Sequence, residues 1–261
     1  MISKEALDKL YARYNRREFV HPDPLEFLYA YVDVRDREIV GLVAASLAYG
    51  RVTQILKSVT FVFKRIPSPS RFLRETSLES LLKMFEGFQH RFTTGKELAM
   101  MLFGIKSVID RHGSLHACFT NYLNADDDTT LSALSAFAQE LATATNGRRN
   151  SLLPAPAKGS ACKRLHLFLR WMVRRDDVDP GGWDNIPASK LIVPVDTHMH
   201  RICLALKLTQ RRQADICTAA EITTAFKTVA PDDPVKYDFA LTRLGIRADT
   251  DLQAFLKQCD L

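Results

Sequence analysis

The sequence predicts an all-α protein. Apolar residues recur at three- and four-residue steps through most of the chain, and strand-like alternation is nearly absent. The periodic segments also break where Gly and Pro fall, as at Gly50 and at Pro67-Ser-Pro69. Leu7, Leu10, Tyr11 and Tyr14 mark the first helix, and Pro24 suits the first turn of a second one through Leu25, Phe27 and Leu28. Asp36 reads as the cap of a buried helix, IVGLVAASLAYG, ended by Gly50. A helix over Val52 to Val62 follows, then a turn at Pro67 to Pro69. Further helices are expected around Leu78 to Phe85, Glu97 to Ile109 and Leu131 to Leu141, with a solvated loop from Asn124 to Thr130.

Asn146 to Gly159 carries two prolines and two glycines and cannot be one helix. The next segment is strongly amphipathic, with Leu165, Phe168, Leu169, Met172 and Val173 at i, i+3, i+4, i+7 and i+8. Asp176 to Lys190 reads as a polar loop. IVPVDTHMHRICLALKL then reads as an extended piece, a capping aspartate and a new helix. Two more helices are expected near Ala219 to Val229 and Pro234 to Leu244, and no internal repeat is present.

The 261 residues allow one large domain or two interleaved small ones, and a hydrophobic share of 46% is ordinary for a globular chain. The longest apolar run, Ile39 to Tyr49, is far shorter than the roughly 20 residues of a membrane span. Met1 leads into a charged amphipathic stretch, which does not read as a signal peptide. Five scattered cysteines without a Cys-x-x-Cys pair argue against zinc, an iron–sulfur cluster or a disulfide framework, and for a reducing cytosol. The net charge of +6 suits a nucleic-acid partner without requiring one.

Two residues carry candidate chemistry. Lys163 begins an amphipathic helix after a Pro/Gly-containing loop, where the positive end of the helix dipole is unfavourable for a cation. A lysine that attacks carbon must do so as the neutral amine, so such a place favours a nucleophile. The plainer reading is an exposed lysine that happens to start a helix. Asp196 precedes a helical pattern and reads as an N-cap, held ionised by backbone N–H groups. It is a fixed negative charge, useful against a developing cation, or a cap alone.

The segment VPVDTHMHRI resembles the signature that follows the hairpin in helix-hairpin-helix DNA glycosylases of the endonuclease III and 8-oxoguanine glycosylase superfamily, through Val195, Asp196 and His198, with Arg201 placed as in many relatives. CKRLHLFLR is similar to the lysine-bearing helix of bacterial and archaeal 8-oxoguanine glycosylases, matching Lys163, Phe168, Leu169 and Arg170. GFQHRF (Gly87 to Phe92) resembles an arginine-phenylalanine segment that precedes a helix in the same enzymes. The helix ending in LAYGR, with Gln54 a turn later, occupies the place of the family's first barrel helix. The chain as a whole looks like an uncharacterised bacterial family of conserved proteins distantly related to these glycosylases.

That resemblance implies two interleaved helical subdomains, 1–35 with 196–261 and 36–195, and a hairpin near 146–163. It implies a cofactor-free, metal-free monomer in the cytoplasm, associated with the nucleoid and acting on damaged duplex DNA. Asp196 would be the catalytic carboxylate and Lys163 the Schiff-base lysine, with Lys158 its rival. The family hairpin reads Leu-Pro-Gly-x-Gly-x-Lys, whereas Leu153-Pro154 is followed here by Ala155-Pro156-Ala157-Lys158-Gly159-Ser160.

Hydrolysis of an N-glycosidic bond develops positive charge on the sugar, which an ionised carboxylate stabilises. An amine then captures C1′ as a Schiff base, and the nucleotide must first be flipped out of the stack. Candidate stacking surfaces are Trp171, Trp183, Phe88, Phe92 and Tyr49, each of which is also an ordinary core residue. His198 and Gln54 are assigned to the same pocket. Lys158, Gly159, Ser160, Arg164, Arg170, Arg201 and Arg51 are assigned to DNA, and Arg164, Arg170, Arg174 and Arg175 together form a basic helix end suited to phosphates. His198 and His200, two apart, do not share a helix face as a metal pair would. The expectation is therefore a glycosylase with lyase activity, oxidised guanine being the first substrate to try. The alternatives are a monofunctional enzyme using Asp196 alone and a non-catalytic DNA- or RNA-binding protein of the same fold.

Overall fold

A computed structural model of the chain describes residues 3–143, 149–154, 156, 159–246 and 252–259, with Ile246 in backbone only. The protein is mostly helical, as its periodicity requires. In chain order the helices are α1 (Lys4–Tyr14), α2 (Val34–Ser46), α3 (Val52–Arg65), α4 (Pro69–Glu75), α5 (Leu78–Met84), α6 (Gly95–His112), α7 (Leu115–Thr120), α8 (Leu131–Ala142), α9 (Lys163–Val173), α10 (Thr197–Ala205), α11 (Ile216–Lys227), α12 (Asp238–Ile246) and α13 (Leu252–Gln258). Two two-residue strands, β1 (Gln89–His90) and β2 (Thr93–Thr94), pair antiparallel ahead of α6. Among the described residues no helix is long and apolar enough to cross a membrane.

Several elements differ from the sequence expectation, each for a local reason. Asp33, not Asp36, caps α2, because Asp33 has the extended backbone of a cap and accepts the Arg35 N–H at 2.8 Å. The Asp36 carboxylate instead accepts from the backbone N–H of Ser70 at the start of α4. The same helix stops at Ser46, and Gly50, at φ +93°, turns the chain only afterwards. Pro24–Ala30 winds as a 3-10 helix capped by Asp23. The Pro67–Pro69 turn opens directly into α4, with Pro69 at its first position. The two strands, α7 and α13 are too short to impose a period on the sequence.

The core is one continuous cluster that runs from Leu7 on α1 to Phe255 on α13. Helix α2 is buried along most of its length and lies against α9. Gly41 makes that approach possible: a Cβ there would stand 3.3 Å from Met172 Sδ and 3.4 Å from Phe168 Cδ2, both on α9. Helix α10 packs on α12, which in turn packs on α1. The helix pairs α2–α9 and α10–α12 hold between them the start of α9 and the start of α10, where the candidate chemistry sits.

Candidate active site

Helix α9 starts at Lys163 because Cys162 adopts a left-handed conformation, φ 44° and ψ 34°, which no helix continues. The Cys162 carbonyl accepts the first two helical N–H groups, from Leu165 and His166, at 2.9 and 3.1 Å. Leu165, Phe168, Leu169 and Met172 face the core, so Lys163 emerges at the edge of the buried face.

Helix α10 begins through a different device. Asp196 takes an extended backbone, and its Oδ1 accepts the N–H groups of His198 and Met199, both at 2.9 Å. Oδ2 is left for a partner, and that partner is Lys163, whose Nζ lies 3.4 Å away. The two side chains are 29% and 30% exposed, accessible yet largely removed from water. Burial pushes the Asp196 carboxyl up, but the Lys163 ammonium, the Met199 N–H and the nearby His198 together outweigh it and hold the group below its usual range. Asp196 is thus a fixed anion beside an amine.

Both residues open into one small cleft, lined also by Asp23, Leu167, Arg170, Pro194, Asp238, Phe239, Thr242 and Arg243. The floor is an ion-pair network. Arg170, 3% exposed, joins Asp179 at 3.1 Å to Asp238, and Arg174 joins Asp179, Asp176 and Asp233. One wall is the pair Arg243–Asp23, at 3.2 Å. Asp23, Asp238, Phe239, Thr242 and Arg243 were not singled out in the sequence. The available signal was two charges, Asp238 and Arg243, inside the otherwise apolar run YDFALTRLG.

Other expected site residues are placed elsewhere. Trp183 is no stacking platform: it is 2% exposed, its Nε1 donates to Glu38 at 3.0 Å, and Phe168 meets it edge-on. Its loop runs beside the end of α9, with the Gly181 and Trp183 N–H groups donating to the Trp171 and Met172 carbonyls. Phe88 and Trp171 are likewise core. Arg170 and Arg174 offer no phosphate contact, since their guanidiniums are buried in the network. Arg164 is also committed, donating to the Ser46 and Ser151 carbonyls at 2.6 and 2.7 Å.

Tyr49, Phe92 and Gln54 do not line the cleft. Phe92, 63% exposed, stacks on Tyr49 with ring centroids 5.0 Å apart, and the Arg164 guanidinium lies 5.0 Å from the Tyr49 ring. Gln54, Arg51 and Arg201 are exposed, as is His198 on the first turn of α10. Gly159 and Ser160 are exposed and pair with the start of α11, where the Ile216 N–H donates to the Gly159 carbonyl. Lys158 lies outside the described residues, as do 146–148, 155 and 157 of the expected hairpin.

His166, one helical turn beyond Lys163, is 1% exposed, and neither ring nitrogen has a hydrogen-bond partner among the described residues. Burial alone drives its pKa from the ordinary 6.5 down to about 4. The unfolded chain therefore takes up this proton first as pH falls below the ordinary value. Stability contributed above that point is lost progressively as the pH drops towards the folded value, by about 3 kcal/mol in all. Urea unfolding across this interval should show the loss in the wild type, and His166→Leu should remove that part of the pH dependence. Parallel profiles for the two proteins would show that His166 is solvated or partnered in solution.

Fold and site together define a helical protein with a lysine–carboxylate pair in a cleft floored by buried ion pairs. The chain belongs to the family described as "Protein of unknown function (DUF2400)", whose model matches residues 23–247. No curated protein and no solved structure matches it.

Proposed function

We propose that the protein is a DNA base-excision glycosylase that also cleaves the abasic product through a Schiff base on Lys163. The observation that carries this reading is the placement of the Lys163 amine 3.4 Å from Asp196 Oδ2 at the mouth of one cleft. The two residues are 33 apart in sequence and start different helices, yet they meet as a nucleophile–anion pair requires. In this reading the ionised Asp196 stabilises positive charge that develops at C1′ as the base departs. Lys163, once neutral, then captures C1′. The resemblance of VPVDTH and the Lys163 helix to helix-hairpin-helix glycosylases points to the same chemistry and makes oxidised guanine the first lesion to test. The exposed Phe92, next in the chain to the exposed Arg91, is the surface best suited to meet the duplex, an aromatic face beside a cation.

Borohydride trapping on duplexes that carry single lesions tests the proposal. The expected result is a covalent protein–DNA adduct with wild-type protein and none with Lys163→Gln. An adduct that survives Lys163→Gln moves the nucleophile elsewhere, Lys158 first. Excision without any adduct supports a monofunctional enzyme, and binding without either reaction across the lesion panel supports a non-catalytic protein.

A further inference from the structure

Asp238, the first residue of α12, lines the same cleft as Lys163 and Asp196 and is 4% exposed. One of its oxygens, Oδ2, is held by the Arg170 guanidinium. The other, Oδ1, is buried with no hydrogen-bond partner among the described residues. A bare buried acceptor is costly, and more so when it is charged. Asp179 has both oxygens paired and Asp196 has both engaged, whereas Asp233, held by Arg174 through Oδ2, also keeps a bare Oδ1.

Two of the three carboxylates that line the cleft, Asp196 and Asp238, are pushed in opposite directions. Asp196 is held ionised by Lys163 and by backbone N–H groups despite its burial. For Asp238 burial dominates and raises the carboxyl, the Arg170 charge pulls it back, and the negative Asp196 raises it again. The groups around Asp238 are Arg170 and Lys163 on α9, Asp196 and Cys203 on α10, Arg243 on α12 itself, and Asp23 before the 3-10 helix. Where environments drive two carboxylates apart, the raised one accepts a proton more readily and the lowered one keeps its charge.

We propose that Asp238 receives the proton that Lys163 must lose before it attacks a sugar carbon, while Asp196 stays ionised throughout. This rests on the lysine chemistry proposed above. Lys163 pairs with Asp196 rather than Asp238, so its side chain first swings across the shared cleft. The Nζ–H bond of the ammonium then breaks with its electron pair left on nitrogen, and an O–H bond forms on Asp238 Oδ1. Ammonium and carboxylate become amine and carboxylic acid, so no charge leaves the cleft. In a buried site, cancelling an ion pair is less costly than stranding a single charge. Protonating Asp196 instead would discharge the anion that two backbone N–H groups and the oxocarbenium-like sugar both need.

The test uses the full-length protein and a duplex with one abasic site, whose ring-opened aldehyde takes the amine directly and makes lesion identity irrelevant. Borohydride trapping rates are measured from about pH 5.5 to about pH 8.5. Internal transfer predicts a nearly flat wild-type profile. Asp238→Asn must release the proton to solvent, so its rate should fall at least about tenfold at neutral pH and climb about tenfold per pH unit. Asp238→Glu should keep the flat profile. A merely structural role would lower the rate without changing its slope, and a flat profile in Asp238→Asn overturns the proposal. Should Asp238→Asn not fold, carbon-13 titration of the aspartate carboxyls in unmodified protein decides. Asp238 should lose its proton at higher pH than Asp196, and the reverse order or coincident titration overturns the assignment. A wild type that forms no adduct removes the lyase reading, and the carboxyl order then decides on its own whether Asp238 is the proton-holding member of the pair.

Discussion

Asp196→Asn is expected to slow excision of a substrate base by roughly 10²–10³-fold while leaving α10 in place. Under the proposed reaction the two effects separate because the two oxygens of Asp196 have different partners. Its Oδ1 caps α10 through the His198 and Met199 N–H groups, and an asparagine oxygen accepts the same bonds. Its Oδ2 faces Lys163, and only a charge there can stabilise a sugar cation. Asn therefore keeps the cap and discards the anion. Single-turnover excision, measured beside a thermal melt, reads both. Loss of activity with a melt within a few degrees of wild type supports electrostatic catalysis. Wild-type excision by Asp196→Asn would reduce Asp196 to a cap. Because Lys163 and the N–H groups hold the carboxyl below its usual range, the anion persists as pH falls through that range, and activity should not show an acid limb from Asp196 near neutrality.

Asp196 and Lys163 both lie where helices start, a local signal, and the choice of Lys163 over Lys158 rests on the resemblance of its helix to the lysine-bearing helix of the glycosylases. The Asp196 cap stands next to an extended VPV segment, and Lys163 follows a segment whose prolines and glycines forbid a helix. Such signals are local, and locality is what one chain read alone preserves. What the sequence did not show is which polar faces are covered. Lys163, Arg170 and Arg174 fall at i, i+7 and i+11 on one face of α9 and its end. Periodicity marks that face as polar, which is also how a solvated or phosphate-binding face reads. The carboxylates that cover it come from Asp179, 9 residues after Arg170, and Asp238, 68 residues after it. No period links those positions.

Trp183 shows the same limit from the apolar side. Its Gly/Pro-rich loop reads as solvent-exposed, yet Gly182, at φ +133°, lets the backbone pass so close to α2 that a Cβ would stand 3.0 Å from Val34. The indole then fills the core and ties to Glu38, which also accepts from the Leu115 and His116 N–H groups at the start of α7. The strands at Gln89–His90 and Thr93–Thr94 were hidden for a simpler reason: two residues cannot display an alternation.

Asp179→Asn is the substitution expected to cost the most stability, about 3–5 kcal/mol. Asp179 is fully buried, its two oxygens engage Arg170 and Arg174, and both guanidiniums are about 5% exposed. The amide keeps the shape and removes the charge, so two buried cations lose the anion between them. Arg170 retains Asp238, and Arg174 retains Asp176 and Asp233, which places the loss within that interval rather than above it. For a chain of this size about 2–4 °C of melting temperature accompanies each kcal/mol, so a fall of roughly 10 °C is expected. A fall of only a degree or two would show that water or a shifted carboxylate replaces Asp179. The pair also connects stability to the site. Asp179 fixes one side of the Arg170 fork and Asp238 the other, on the helix whose first residue is Lys163. Freed from Asp179, Arg170 can turn fully towards Asp238 and hold it ionised, so the folded variant should trap abasic DNA more slowly than the wild type even below its melting point.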